Sequence, residues 1–204
     1  MRAMWLGLLS FSPATIADLA VIQAQTTHGH PLALSASALT ALTVNAVFTG
    51  EVTPSKAGTL TGWAYAKTRQ LTAQPTWDEN YTEGLEDLER FLWNGRVSYE
   101  RFLRDSNEES DPCSYFGEGW IAEEALMNAL AVTDFYSDDV VGGLRRLVYS
   151  NGDSDSIAAI GGAMLGTHLG ETENIASWIS HIEPRYQKEL EDVHTRLTEL
   201  YYGN

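Results

Sequence analysis

An all-α fold is what this sequence predicts, and three observations carry that expectation. Apolar residues recur at helical spacing along most of the chain. Proline follows a capping hydroxyl, or itself opens an apolar run, in several places. The apolar/polar alternation of a half-buried strand is scarce. With 204 residues, 44% hydrophobic and 20% charged, the chain has the composition of a globular protein and room for one full core. No linker, repeat or low-complexity tract interrupts it, so a single domain over 1–204 is expected.

The elements follow in order. Met1-Arg2-Ala3-Met4-Trp5-Leu6-Gly7-Leu8-Leu9 is a short apolar run with one positive charge. It has the outline of a leader peptide but no Ala-x-Ala site, and it is too short to span a bilayer, so a buried segment is expected. Ser12-Pro13 caps a first helix carrying Ile16, Leu19, Ala20 and Ala24, closed by Gly29. Pro31 opens an Ala-rich helix to about Phe48, ended by Gly50. Thr53-Pro54 repeats the cap-plus-proline device for a third helix, to about Gln70.

Residues 73–81 read as a loop. Thr82 then caps an amphipathic helix with Leu85, Leu88, Phe91 and Leu92 on one face, stopped by Gly95. Residues 105–119 are polar and rich in turn formers, a long loop of the kind that is often functional. A helix follows from Trp120 to about Phe135, and Ser137-Asp138-Asp139 caps the next. Asn151-Gly152 breaks that one. Asp153 to Leu169 and Pro184 to Tyr201 are the last two helices expected.

Charge and cysteine usage narrow the function classes. A formal net charge of −15 repels phosphate backbones, which argues against nucleic acid as a partner. The single cysteine, Cys113, allows no internal disulfide and fits a reducing, cytoplasmic setting. The five histidines and Cys113 make no zinc pattern. No membrane association is expected.

The segment with chemistry in it is Asn151-Gly152-Asp153-Ser154-Asp155-Ser156, running into an apolar helix of small residues. Two carboxylates and two hydroxyls at one helix start are hard oxygen donors of the kind Mg²⁺ or Mn²⁺ takes. Acids there also complement the helix dipole, and Asp and Ser are ordinary caps, so spacing alone leaves both readings open. Ala158, Gly162, Gly166 and Gly170 recur every four residues. Since Gly costs roughly 1 kcal/mol against Ala inside a helix, such a stripe suggests close packing against another helix backbone. Two other metal readings fail. An EF-hand starting at Asp153 needs Gly and Glu where Ala158 and Met164 stand. An aspartyl phosphatase needs a buried strand running directly into the first Asp, and Tyr149-Ser150-Asn151-Gly152 intervenes.

The same stretch resembles the C-terminal metal motif of the ADP-ribosylglycohydrolase family, which includes the ADP-ribosyl-protein hydrolases and the dinitrogenase reductase-activating glycohydrolases: Gly-Asp-Ser/Thr-Asp-Ser/Thr before an Ala/Gly-rich helix. Three further stretches agree in order: Thr27-His28-Gly29-His30-Pro31, Gly117-Glu118-Gly119-Trp120-Ile121-Ala122-Glu123-Glu124, and the segment with Ile175, Trp178, Ile182 and Glu183. The resemblance implies an orthogonal multi-helix bundle that hydrolyses the N- or O-glycosidic bond of an ADP-ribosylated protein or small molecule, releasing ADP-ribose. It implies metal binding by Asp153, Asp155 and Ser156, as half of a two-metal Mg²⁺ or Mn²⁺ site. It places His28, Gly119 and Trp120 at the substrate; His30 reads as structural.

Met1-Arg2 with Leu6-Gly7-Leu8-Leu9 resembles an internal segment of the family, Trp5 standing where the family has Pro. The acidic Thr-Asp-Asp motif that should precede it has no counterpart here. The chain is thus expected to cover about the last two thirds of the pattern, N-terminally truncated, with no catalytic acid identified. Apolar surface left by absent helices would favour a dimer or a complementing N-terminal chain. The rival reading is a non-catalytic remnant or one half of a split protein.

Overall fold

The computed structural model describes residues 1–74, 78–105, 107, 110–170 and 172–202, with backbone only for 201 and 202. Among them the fold is all-α, as the sequence predicts, and no strand occurs. They form two compact units, 1–169 and 170–204.

The first unit begins with a 3-10 turn, Met4–Leu8, in which Leu6 and Gly7 are buried. Helix α1 is Pro13–Gln25, with the Ser12 hydroxyl accepting the Thr15 N–H at 3.2 Å. Helix α2, Pro31–Phe48, starts at the expected proline, and its cap is His30, whose Nδ1 accepts the Leu32 N–H at 3.3 Å. By length and apolarity α2 could cross a bilayer, yet 72% of it is buried within the protein. It is the core helix. The 3-10 turn, α1, α4 (Glu79–Asp105), α6 (Ala122–Phe135) and α8 (Ser154–Leu169) all pack on it. Its near-continuous apolar sequence follows, because a helix surrounded by others has no wet face to mark with polar residues. The Asn45 Nδ2 donates to the Gly7 carbonyl at 2.9 Å and fixes the 3-10 turn against it.

Helix α3 is Thr59–Thr72, several residues later than Thr53-Pro54 predicts. The reason is a cap supplied from far along the chain. Asp134, on α6, accepts hydrogen bonds from the backbone N–H groups of Ser55, Leu60 and Thr61 at 3.0, 3.0 and 2.8 Å, and from the Thr61 hydroxyl at 2.8 Å. A carboxylate there satisfies the orphan donors of the first turn.

Helix α4 runs straight through Gly95, the residue expected to stop it. A Cβ at Gly95 would lie 2.5 Å from the Met127 Sδ of α6, so this glycine marks a close helix approach and not a terminus. The start also moves, to Glu79, because Asp78 Oδ1 accepts the Tyr81 N–H at 2.9 Å in place of a cap at Thr82. Of the expected 73–81 loop, 75–77 lie outside the described residues. The long loop expected at 105–119 holds one helical turn, α5, Cys113–Phe116; 106, 108 and 109 lie outside the described residues. Phe102 on α4 anchors it through rings of Tyr115 and Phe116, at 5.2 and 5.5 Å between centroids.

Helix α6 begins at Ala122, so Trp120 and Ile121 precede it. Helix α7, Val140–Val148, is capped as expected: Asp139 Oδ1 accepts the Gly142 N–H at 2.9 Å. On α8 the expected small-residue stripe does not form a backbone-contact groove. Gly166 faces nothing within 4 Å, and Gly170 lies past the helix end with φ of 68°. The tight position is Gly161, where a Cβ would sit 2.6 Å from Leu147 Cδ1 of α7. On the stripe itself a Cβ at Gly162 would meet Leu144 Cδ2 of α7 at 3.2 Å, so there too the neighbour is a leucine side chain and not a helix backbone.

The second unit holds α9, Glu173–Ile179, and α10, Pro184–Tyr202. The last helix matches expectation; α9 was not marked by any strong cap-and-stop pattern beyond Thr172, whose hydroxyl accepts the Ile175 N–H at 3.3 Å. Among the described residues, the buried hydrophobic ones all belong to the first unit, from Ala3 to Leu165.

Candidate active site

The first unit contains a cavity of about 640 Å³. Five of the six residues singled out from sequence line it: His28, Gly119, Trp120, Asp153 and Ser156. They come from three stretches, the α1–α2 connection, the loop before α6 and the start of α8. The sixth, Asp155, is not on the cavity wall. It lies on the outer side of the same helix start, with its carboxyl hydrogen-bonded to that of Asp153. That contact, ahead of the backbone N–H donors of the helix start, holds the Asp155 carboxyl below the ordinary aspartate range.

The acidic helix start is held by backbone geometry. The Asp153 N–H donates to the Glu118 carbonyl at 2.7 Å, and the Asn151 N–H donates to Asp111 Oδ2 at 3.1 Å. Asp111 also accepts the Cys113 N–H at 3.0 Å, so α5 is tied to the same corner. Cys113 itself is pushed up to about 11, first by burial and then by the Asp111 charge, which leaves it a neutral thiol.

The glycine loop before α6 is built as tightly. Gly119 has φ of 79°, and a Cβ there would lie 2.6 Å from Ile157 Cδ1 of α8. Both facts require glycine. Its N–H donates to Glu124 Oε2 at 3.0 Å, and Asn128 Nδ2 donates to the Gly117 carbonyl at 2.9 Å. Beyond this loop Trp120 is 68% exposed, with its indole N–H on Glu118 Oε2 at 3.0 Å. An aromatic face of that size, open beside a cavity, suits stacking or van der Waals contact with a ligand ring.

On the opposite stretch His28 Nδ1 shares a hydrogen bond with the Thr27 hydroxyl at 2.7 Å, and Arg2 Nη2 donates to that hydroxyl at 2.5 Å. Arg2 lines the cavity as well. His30 also reaches the cavity wall while capping α2, so its structural role and its position at the site coincide.

Sequence reasoning did not single out Arg2 or Glu123, and both line the cavity. Arg2 stood in the Met-Arg segment that carried a resemblance, with no role attached. Glu123 stood beside Glu124, and composition cannot tell which of two adjacent helical acids turns inward. Successive helical residues point about 100° apart, and here Glu123 faces the cavity while Glu124 holds the loop.

The donor set bears on the metal that the family resemblance implies. Asp153, Asp155 and Ser156 offer two carboxylates and a hydroxyl, all hard oxygens. Among the described residues no group of three or more His, Cys, Asp or Glu is arranged to hold a metal ion. Mg²⁺ characteristically uses one or two carboxylates and completes its shell with water and substrate oxygens, so donors of this chemistry are compatible with such an ion.

The first unit is thus an all-α body with a ligand-sized cavity edged by an acidic helix start. The family model described as ADP-ribosylglycohydrolase matches residues 1–204, and the chain belongs to the ADP-ribosylglycohydrolase family, whose members hydrolyse glycosidic bonds. No curated protein and no solved structure matches it.

Proposed function

We propose that this chain binds the ADP-ribosyl part of an ADP-ribosylated protein or small molecule in the cavity and hydrolyses its N- or O-glycosidic bond, releasing ADP-ribose. The observation that carries this reading is the convergence of His28, Gly119, Trp120, Asp153 and Ser156, from three separate stretches, on one cavity of about 640 Å³. A volume of that order lies within the range of small-molecule and cofactor pockets, about 300–1,000 Å³.

Each residue has a task in this reading. Trp120 presents its ring to a planar or sugar face of the ligand. His28, steadied by Thr27, contacts a ribose or phosphate oxygen, with Arg2 adding positive charge on the same edge. Gly119, with its positive φ and its close packing on Ile157, holds the loop against the start of α8. Asp153, Asp155 and Ser156 would hold one Mg²⁺ or Mn²⁺, which when bound polarises a sugar oxygen and lowers the pKa of its water. The bond to Glu118 keeps Asp153 aimed at the cavity edge.

A second reading is that the site is half of one, completed by donors from a separate chain. The shortage of a third carboxylate or imidazole among the described residues favours it. Calorimetric titration separates the two. The purified chain is titrated with Mg²⁺ and Mn²⁺, then with ADP-ribose in the better metal. Saturable binding of both, with release of ADP-ribose from an ADP-ribosylated protein, supports the enzyme. A folded chain that binds neither supports the half-site.

A further inference from the structure

Helix α6 opens with two adjacent glutamates of different fate. Glu124 gives its carboxylate to the loop, accepting the Gly119 N–H. Glu123 turns to the cavity wall and is only 7% exposed. Among the described residues it makes no ion pair with Lys or Arg. Its carboxyl accepts its own backbone N–H, and the charges that face it are Glu124, His30 and Asp87, of which only His30 can oppose its own. Burial, and then Glu124 and Asp87, hold this acid above the ordinary glutamate range.

A buried carboxylate without a cation is costly, and such groups gather at clefts where a ligand supplies the missing partners. Of the cavity lining, Ala33, Ala36, Ile121, Ala122 and Ala125 carry no polar side-chain atom. A carboxylate on the cavity wall with no Lys or Arg partner can take O–H donors from a ligand. A phosphate would be repelled by it. A sugar diol brings two donors side by side with no charge, and it matches the two-oxygen geometry of a carboxylate.

We propose that Glu123 is a substrate contact, its carboxylate receiving hydrogen bonds from the cis-diol of a ribose seated in the cavity. The inference rests on the ADP-ribose reading of the same site and adds a specificity element to it: ribose is distinguished from its deoxy forms here.

The test is calorimetric titration of the full chain, in the better metal, with ADP-ribose and with analogues lacking one ribose hydroxyl at a time. The wild type should prefer ADP-ribose over at least one analogue by about tenfold or more, the loss expected for a hydrogen bond to a charged group. In Glu123→Gln and Glu123→Ala that preference should shrink to about twofold or less, while a ligand already lacking the hydroxyl binds as it does to wild type. A variant that weakens ADP-ribose and the deoxy analogue equally overturns the inference, since that is what a structural role would do. So does a wild type that binds ADP-ribose and all analogues alike, an outcome that stands even if the variants do not fold. A wild type that binds no ADP-ribose removes the ADP-ribose reading itself, and the two failures are thereby told apart.

Discussion

The backbone N–H of Asp153 donates to the carbonyl oxygen of Glu118 at 2.7 Å, so the acidic start of α8 and the glycine loop before α6 share one piece of backbone geometry. Gly152 makes that approach possible. A Cβ at Gly152 would overlap the Glu118 carbonyl carbon and oxygen, which are backbone atoms and cannot swing away as a side chain does.

Gly152→Ala therefore forces the two loops apart. The expected cost is about 1–3 kcal/mol of stability, as for overpacking elsewhere. Cation and ADP-ribose binding should weaken with it, because both halves of the site move. Thermal melting alongside calorimetry checks this. Wild-type stability and affinity in the variant would show that the loops tolerate separation.

Gly166→Ala should act in the opposite sense. It sits inside α8 with open space around it, so the substitution adds helix propensity without a clash. A gain of about 0.5–1 kcal/mol is expected. Gly161→Ala, by contrast, meets Leu147 Cδ1 at 2.6 Å and should destabilise. Denaturant titration of the pair reads both signs.

Asp155→Ala should abolish measurable Mg²⁺ and Mn²⁺ binding and leave the melting temperature unchanged. The carboxyl is exposed and meets the neighbouring Asp153 and the N–H groups of its own helix start, so removing it costs no buried contact. Undiminished titration of either cation by the variant would remove this residue from the metal site.

Asp134 controls stability and its pH dependence. Asp134→Ala strands three backbone N–H groups and the Thr61 hydroxyl, at an expected cost of roughly 2–4 kcal/mol. Burial outweighs those donors and holds the Asp134 carboxyl above the ordinary aspartate range. A raised acid binds its proton more tightly folded than unfolded. Its contribution to stability thus falls as pH rises from the unfolded aspartate value, about 3.9, towards the raised folded one. The stability difference between wild type and Asp134→Ala should narrow over that rise and stay level above it. Chemical denaturation at a series of acidic pH values checks the slope.

Where caps are local, the sequence shows them. Ser12 before Pro13, Pro31 opening α2 and Asp139 before Val140 lie next to the backbone groups they serve or begin, and α1, α2 and α7 start where such signals predict. The start of α3 was not legible, because its cap, Asp134, lies more than seventy residues away. Gly95 misleads for a related reason: its role is set by Met127, which sequence places on another helix. Motif residues such as Asp153 and Gly119 were marked by the resemblance of their stretches to family motifs, where spacing alone left the reading of Asp153 open. Glu123 was not, since its distinction from Glu124 exists only once the helix is turned against the cavity.

The cavity is lined by residues that run from Met1 to Ile160, on pieces of chain that share no local sequence. A ligand seated there would act as a removable cross-link across almost the whole first unit. Any molecule with affinity for the folded cavity alone then stabilises that unit as a whole, by about 2.7 kcal/mol at a hundred times its dissociation constant, and raises its melting point. A thermal-shift screen of nucleotide sugars can therefore rank ligands before any reaction is assayed, and a compound that leaves the melting curve in place is not held by this cavity.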